Sequence, residues 1–292
     1  MRIVVRGAGI FGLSVAWACL GRGASVAVTD PGGVGAGASG GVVGALAPHV
    51  PENWNTIKAL QFESLERAEA FWAEVSAVSG RDPGYARSGR VQPLADAAAV
   101  ALAEAREETA RALWQGRRDW HVLPAERFPG LVESPTGLVV FDSLTARLHP
   151  RRALAALAGA LAARGAEITT EPRGGDVEIH CTGVAGLMEL NALSESRAIG
   201  AGVKGQAAVL ACDLRDTPQI YADGLHIVPH VDGTTAVGST SERDWNDPAA
   251  TDAQLDDVIA RARAACPPLR RAEVIERCAG LRPRARSRAP IL

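Results

Sequence analysis

Residues 3–30 read IVVRGAGIFGLSVAWACLGRGASVAVTD, and they combine a short apolar run, a glycine-rich turn, an apolar helical segment and a second apolar run that ends in an acid. This pattern predicts a strand at 3–5, a helix at 13–20 and a strand at 24–30. A strand, Gly-x-Gly-x-x-Gly, a helix, a strand and an acid together are typical of the phosphate-binding βαβ unit of dinucleotide folds. We therefore predict a Rossmann-like unit in this stretch.

Each glycine of the turn has a physical reason to be there. Gly7 allows a tight turn out of the first strand, Gly9 lets a pyrophosphate approach the backbone, and Gly12 lets the helix pack close to the sheet. Asp30 follows Gly12 by 18 residues (30 − 12), near the spacing at which an acid accepts hydrogen bonds from an adenosine ribose. Three glycines in an ordinary β–α turn are the alternative.

Composition limits the classes of protein that this chain can be. The 292 residues suffice for one large or two ordinary domains, and 47% hydrophobic with 22% charged residues is typical of a soluble globular protein. A net charge of −2 argues against a general nucleic-acid binder. Short, interrupted apolar runs predict neither a membrane span nor a signal peptide. Five scattered cysteines without C-x-x-C predict a cytoplasmic protein with no disulfide framework or zinc site.

A glycine-rich segment follows Asp30 and Pro31, where many NAD enzymes would continue the sheet. Residues 32–44 hold seven glycines and lead into an apolar stretch. We interpret the segment as backbone that passes closely over a large flat cofactor, with a flexible linker as the alternative. Farther along, the pattern predicts helices at 55–78, 95–115, 150–164 and 253–265 and strands at 90–94, 122–124, 137–141, 167–170, 177–181, 204–211, 224–228 and 234–240.

Six segments together resemble one protein family. They are Gly7-x-Gly9-x-x-Gly12 with Asp30; Gly37-Ala38-Ser39-Gly40 with Gly44-Ala45-Leu46-Ala47-Pro48; Cys181-Thr182-Gly183; Val203-Lys204-Gly205-Gln206; Ile227-Val228-Pro229 with Val237-Gly238-Ser239-Thr240; and Ala279-Gly280-Leu281-Arg282-Pro283. With these segments the chain resembles the FAD-dependent oxidoreductases of the D-amino-acid oxidase and glycine oxidase family.

The resemblance implies an α/β fold, with an FAD-binding Rossmann-like βαβ domain interleaved with an antiparallel or mixed-sheet substrate domain. We expect the FAD-binding domain to comprise residues 1–84, 145–199 and 279–292. The substrate-binding domain would then comprise 85–144 and 200–278.

The resemblance also implies roles for individual residues. Asp30 would bind the AMP ribose, Ser39 would lie along the pyrophosphate and ribityl chain, and the turn at Thr182 and Gly183 would come near the cofactor. Arg282 would pair with a substrate carboxylate, which a planar guanidinium grips by two parallel hydrogen bonds. The expected cofactor-binding residues are Gly7, Gly9, Ile10, Phe11, Gly12, Asp30, Pro31, Ala38, Ser39, Gly44, Ala45, Leu46, Thr182, Gly183 and Arg282.

Three histidines add candidates to the site. His226 stands where the family often has a tyrosine, and it can donate a hydrogen bond to a carboxylate; an ordinary half-buried strand histidine is the alternative. His230 would face the same side if the strand continues. His49 beside the glycine-rich loop is a candidate near the flavin, with a surface loop as the alternative. We assign no catalytic side chain and no metal ligand, since the flavin carries the hydride chemistry.

Family members continue beyond the position of Leu292 with a strand, a glycine-rich turn and a helix that faces the flavin. We therefore expect this chain to lack that segment and part of the flavin pocket.

The predicted function is FAD-dependent oxidative deamination of a small amino acid or secondary amine, by hydride transfer from the amine-bearing carbon. One alternative is a flavin domain that acts on a modified tRNA wobble uridine, with the arginines at 282–288 contacting phosphates. Another is a truncated FAD-binding protein without activity. The expected partner is the small substrate, with no membrane and no nucleic acid. The sequence leaves the amine, the electron acceptor and the oligomeric state open.

Overall fold

The structure is a computed structural model that describes residues 1–195, 197–287 and 291. Its helices are α1 (Ile10–Leu20), α2 (Thr56–Ser79), α3 (Ala97–Leu113), α4 (Pro150–Ala163), α5 (Gly183–Leu193) and α6 (Ala253–Ala265). Its strands are β1 (Arg2–Arg6), β2 (Ser25–Thr29), β3 (Ala45–Leu46), β4 (Arg90–Pro93), β5 (Trp120–Pro124), β6 (Leu138–Asp142), β7 (Ala146–Arg147), β8 (Glu167–Thr169), β9 (Val177–His180), β10 (Gly200–Leu210), β11 (Gln219–Ala222), β12 (Leu225–Pro229), β13 (Thr235–Gly238) and β14 (Val274–Ala285).

A four-stranded parallel sheet contains the predicted βαβ unit. Its strand order is β8-β2-β1-β9, and α1 connects β1 to β2. Because the strands are parallel, Gly7, Asp30 and Thr182 follow β1, β2 and β9 at the same edge. The order reverses between β1 and β9, and in such sheets ligands bind in the crevice at that point.

Helices α1, α2 and α4 form a layer on this parallel sheet. The apolar core between them joins Val5 and Val28 of the sheet to Trp17 of α1, Trp72 of α2 and Leu157 of α4. Val5, Val28 and Leu157 are fully buried. The core therefore joins the parallel sheet to all three helices.

The second sheet has eight strands in the order β14-β10-β13-β12-β11-β4-β6-β5, and β11 and β4 are its parallel pair. Helix α6 covers one face, where Leu255 and Val258 pack against Ala208, Ile227 and Val237. The opposite face turns toward the glycine-rich segment, where Val42 packs against Ala207, Val209 and Ala236. We call this second face, which carries Arg282, Gly205, Ala207, Gly238 and His226, the inner face.

The fold class predicted from the sequence is confirmed. Five elements were not predicted: α5, which begins at the turn after Cys181, the short paired strands β3 and β7, the strand β11, and the long edge strand β14. Residues 274–285 are rich in arginine and contain Pro283, which favours a loop, yet they pair with β10 along its whole length. Proline is tolerated there because an edge strand has one side without ladder hydrogen bonds.

The division into two domains stays a prediction. Residues 279–285, which we expected in the FAD-binding domain, lie in β14 of the eight-stranded sheet. No helix among the described residues is both long and apolar enough to cross a membrane.

Candidate cofactor and substrate site

The amino-terminal end of α1 offers free backbone donors to the crevice. Gly9 caps the helix without a side-chain hydrogen bond, and the Ile10 amide donates to the Ser39 hydroxyl oxygen at 3.0 Å. The amides of Gly9, Phe11 and Gly12 donate to no group in the described part of the chain. Unpaired amides and the positive end of the helix dipole form an anion-binding site.

The three glycines of the turn differ in what surrounds them. Gly7 has φ +107°, and a Cβ atom there would lie 2.3 Å from the Cys181 carbonyl oxygen; a Cβ atom on Gly12 would lie 1.8 Å from the carbonyl oxygen of Gly7. These two glycines are required by close packing of β1, β9 and α1. A Cβ atom on Gly9 would meet only Ser39, at 3.0 Å, so Gly9 faces the open crevice.

Asp30 links the turn after β1 to the start of the glycine-rich segment. Its Oδ2 accepts the Ala8 amide at 2.8 Å, and its Oδ1 accepts the Gly32 amide at 3.0 Å. Each carboxylate oxygen has more than one lone pair, so both can accept a further hydrogen bond from a ribose hydroxyl. The next residue, Pro31, begins the turn that leads away from β2.

The glycine-rich segment is anchored at several positions. The Gly35 amide donates to the Ala8 carbonyl at 3.0 Å. Arg151 at the start of α4 donates from Nε to the Gly40 carbonyl at 2.9 Å, and its other nitrogens pair with Glu276 of β14. This ion pair raises the pKa of Arg151 and lowers that of Glu276. The segment is therefore tied to the parallel sheet, to α4 and to the eight-stranded sheet.

The other predicted cofactor residues lie along the same path. Ala38 starts a short helical turn over 38–40, and Ala45 and Leu46 form β3, which pairs with β7. Gly44 fits tightly, since a Cβ atom there would lie 1.9 Å from the Leu148 carbonyl oxygen. Thr182 caps α5, and Gly183 has φ +59° with open space beside its Cα.

Arg282 lies on the inner face, where its guanidinium reaches across β10 to the end of β13. Its Nη1 donates to the Ser239 hydroxyl oxygen at 2.9 Å, and its Nη2 donates to the Thr240 carbonyl at 2.8 Å. Both acceptors are neutral, so the charge of Arg282 is not compensated by them. Burial and the nearby Arg284 lower the pKa of this guanidinium, which stays charged at neutral pH.

Small residues surround Arg282 on the inner face. Gly205 pairs with Gly280, and Ala207 pairs with Gly238, so both pairs lie on the same face. A Cβ atom on Gly280 would have nothing within 4 Å. The inner face is therefore flat and open beside Arg282, which suits a planar ring system.

His226 follows on the next strand, β12, directly across from Gly238. Its ring lies 4.8 Å from the ring of Tyr221, and its Nδ1 is buried without a hydrogen-bond partner among the described residues. Burial and the charge of Arg90 lower the pKa of His226 to about 4. Arg90 itself forms a buried ion pair with Asp142 at 2.9 Å. His226 is therefore neutral at physiological pH.

The other two histidines contact protein groups. His230 is buried, with Nε2 3.0 Å from the Val42 carbonyl and Nδ1 3.1 Å from the Thr234 hydroxyl. It follows the end of β12, faces the same side as His226 and joins the sheet to the glycine-rich segment. The exposed His49 is held by Gln61 of α2, which accepts from its backbone amide at 2.8 Å.

Comparison with known proteins identifies the family. The family described as FAD dependent oxidoreductase matches residues 2–292. The chain belongs to this family. It is 30% identical over 294 residues to the Rhizobium etli protein named thiamine biosynthesis oxidoreductase ThiO, covering 97% of this chain and 84% of the relative.

Solved structures of other flavin enzymes have the same fold as this FAD-dependent oxidoreductase. Glycine oxidase from Geobacillus kaustophilus superposes with a TM-score of 0.84 at 20% identity, over 100% of this chain and 85% of that one. Iminodiacetate oxidase from Chelativorans sp. BNC1 superposes with a TM-score of 0.82 at 22% identity, over 98% and 84%. These matches give no support to the alternative of a tRNA-modifying flavin domain. Arg288 of the arginine group considered for that alternative lies outside the described residues.

The cofactor of this FAD-dependent oxidoreductase fits the residues present. The free amides at α1 suit its pyrophosphate, and the flat inner face leaves room for the ring system.

Sequence reasoning gave no role to five residues near the site, which are Gly205, Ser239, Thr240, Tyr221 and Arg90. The first three belong to segments that carried the family resemblance, which is the signal that marks them. Tyr221 and Arg90 approach His226 only through strand pairing.

Proposed function

We propose that this chain oxidises the amine-bearing carbon of a small amino acid, or of a secondary amine that carries a carboxylate. The observation that carries the proposal is Arg282: two neutral acceptors hold its guanidinium on the open inner face, and further N–H donors remain available. A charged, planar donor held in this way suits bidentate recognition of a carboxylate. The similarity to glycine oxidase and iminodiacetate oxidase supports this substrate class.

The proposed FAD site extends from the parallel sheet to the inner face. The amides of Gly9, Phe11 and Gly12 would bind the pyrophosphate, and Asp30 would accept hydrogen bonds from the ribose. FAD supplies a two-electron acceptor for the hydride that leaves the amine-bearing carbon. The remaining proposed cofactor contacts are Gly7, Ile10, Pro31, Ala38, Ser39, Gly44, Ala45, Leu46, Thr182, Gly183 and Arg282.

His226 would contribute a neutral polar contact to the substrate. Its low pKa keeps one ring nitrogen protonated and the other an acceptor at neutral pH. The protonated nitrogen can donate to the carboxylate that Arg282 binds.

We also propose that the chain is divided into the FAD-binding and substrate-binding domains predicted from its sequence. A cytoplasmic location is proposed as well, and five cysteines without disulfides support a reducing compartment.

The test is an absorbance spectrum of the purified protein before and after substrates are added without oxygen. Glycine, sarcosine, D-alanine, D-proline and iminodiacetate form the panel. We expect bound flavin that is bleached by at least one of them. Flavin that stays oxidised with every amine contradicts the proposal.

A variant pair locates the carboxylate site. Arg282→Gln should raise KM for the active substrate by about 100-fold, since a charge-assisted bidentate contact is lost. Arg277→Gln is the matched control, because Arg277 lies on the same strand and pairs with the exposed Asp256 instead. Equal effects of the two changes would contradict the role of Arg282.

A further inference from the structure

The position of the Arg282 guanidinium depends on two neighbouring residues that follow β13. Ser239 supplies a hydroxyl oxygen and Thr240 a carbonyl oxygen, and both lie just beyond the last ladder pair of β13 with β10. Whatever fixes Thr240 therefore also fixes the direction of the guanidinium.

Thr240 is held by the neighbouring strand and by a buried acid. Its hydroxyl oxygen accepts the Gln206 amide at 2.8 Å, and its own amide donates to the Gln206 carbonyl at 3.2 Å. Its hydroxyl group donates to the carboxylate of Glu242. The backbone of Glu242 pairs with that of Lys204 in both directions, at 3.0 and 2.9 Å.

Behind Thr240 lies a polar cluster on the face that α6 covers. Gln206 is fully buried, and Lys204 and Glu242 are 3% and 8% exposed. The Gln206 Nε2 donates to Glu242 Oε1 at 3.0 Å and to Asp252 Oδ1 at 2.9 Å, and its Oε1 accepts the Asp252 amide at 2.8 Å. The Lys204 ammonium lies 3.6 Å from Glu242 Oε2. We call these four residues, Lys204, Gln206, Glu242 and Asp252, the Gln206 cluster.

The remainder of this face is apolar, with Ala208, Leu210 and Val237 packed against α6. Burying an ammonium, a carboxylate and an amide there is costly unless every group is paired. Gln206 uses both ends of its amide, so the hydrogen bonds allow one arrangement of the cluster. The Gln206 amide and the Glu242 carboxylate are hydrogen-bonded and Lys204 pairs with Glu242 by charge, so the network holds Thr240 in place.

We propose that the Gln206 cluster positions Arg282 for the substrate by fixing the carbonyl of Thr240. The cluster does not touch the substrate. It acts from the opposite face of the sheet, through Thr240, on the donor that faces the carboxylate, and the charge of Glu242 also raises the pKa of Arg282 against the larger effect of burial. The identity of the bound carboxylate rests on the proposed function, whereas the restraint on Arg282 is a property of this chain alone.

The test uses Thr240→Val and Glu242→Gln in the full chain with FAD bound. Thr240→Val removes the hydroxyl that joins Gln206 to Glu242, and Glu242→Gln removes the charge opposite Lys204. We expect KM for the amino acid and the Kd for glycolate to rise by about ten-fold, the change for one weakened charged hydrogen bond. Glycinamide, which has no carboxylate, should keep its KM, and kcat should change by less than about three-fold.

Thr235→Val is the matched control. Thr235 is a buried threonine of β13, the strand that Thr240 follows, and its hydroxyl donates to the Cys212 carbonyl at 2.7 Å, away from Arg282. Thr240→Ser keeps the hydroxyl, so its KM for the amino acid and its Kd for glycolate should equal those of the wild type. If Thr235→Val raises the Kd for glycolate as much as Thr240→Val does, or if Thr240→Val binds glycolate like the wild type, the proposal is wrong.

A substrate-independent measurement separates this proposal from the proposed function. In protein labelled with ¹⁵N-arginine, the Nε–Hε signal of Arg282 is assigned with Arg282→Lys. We expect that signal to move in Thr240→Val and Glu242→Gln and to stay in place in Thr235→Val. An unmoved signal overturns the positioning role. A moved signal in a protein that oxidises no amino acid supports the positioning role while the proposed function fails.

Discussion

The guanidinium of Arg282 lies directly over the backbone of Gly205. A Cβ atom placed on Gly205 would be 3.2 Å from Cζ of Arg282 and 3.3 Å from its Nε and Nη2. That spacing is too short for relaxed contact, so any side chain at position 205 must displace the arginine. Without a side chain there, Arg282 keeps the position from which it donates to Ser239 and Thr240 after β13.

Gly205→Ala should therefore weaken carboxylate recognition without unfolding the sheet. We expect KM for the amino-acid substrate to rise by about ten-fold, or about 1.4 kcal/mol, since the guanidinium loses alignment with its acceptors. Steady-state kinetics measure the effect. Gly174→Ala, with nothing within 4 Å of the added Cβ atom, is the control and should behave like the wild type. An unchanged KM in Gly205→Ala would show that Arg282 adapts freely.

Asp30→Ala should lower the affinity for FAD by about 10- to 100-fold, the effect of losing a carboxylate acceptor. The loss has two sources, because Asp30 also holds the Ala8 and Gly32 amides. Titration of the apoprotein with FAD measures the change. Asp176→Ala removes a carboxylate that accepts the Arg2 amide at 2.8 Å, at the opposite edge of the sheet. It should leave FAD binding unchanged, and equal losses in the two variants would argue against a ribose contact.

Two replacements of His226 should distinguish the effect of its hydrogen bonds on activity from the effect of its ring size. His226→Phe should lower kcat/KM by about ten-fold because the ring nitrogens are lost. His226→Tyr, which keeps a donor, should retain more of the activity. Since the pKa of His226 is about 4, its titration should leave kcat/KM unaffected between pH 6 and 8. An acidic limb in that range that disappears in His226→Phe would contradict the neutral state of this histidine.

Stability should fall as pH decreases from about 6.5 to 4, and His230 should contribute to the fall. Burial and the neighbouring His149 lower the pKa of His230 to about 4, whereas an unfolded histidine titrates near 6.5. Between these values the unfolded chain binds one more proton, so the free energy of unfolding drops by at most about 1.4 kcal/mol per pH unit for this group. Urea denaturation at several pH values measures the slope.

His230→Gln should make that slope shallower than in the wild type. The control is His180→Gln, since the His180 side chain is 61% exposed and should leave the slope unchanged. Identical slopes in all three proteins would show that His230 is protonated without cost in the folded state.

The first βαβ unit was predictable because all of its signals are local. Gly7 and Gly12 are required by backbone contacts among β1, α1 and the adjacent strand β9, and apolar segments mark the helices α1, α2 and α4. The strand β14 was missed because its arginines, glycine and proline are typical of a loop. Its strand conformation comes from pairing with β10, which local composition does not encode.

The sequence by itself determined the dinucleotide-binding unit, the fold class and the family, since these rest on glycine conformations, periodicity and motifs within short segments. Only the tertiary structure determined which residues meet on the inner face, where the substrate would bind. Arg282 and Ser239 are 43 positions apart, and the pairing of β14, β10 and β13 brings them together across Gly205. The same pairing sets His226 opposite Gly238 and the Gln206 cluster behind Thr240. Strand register fixes these neighbours, and register depends on long-range packing rather than on any local pattern.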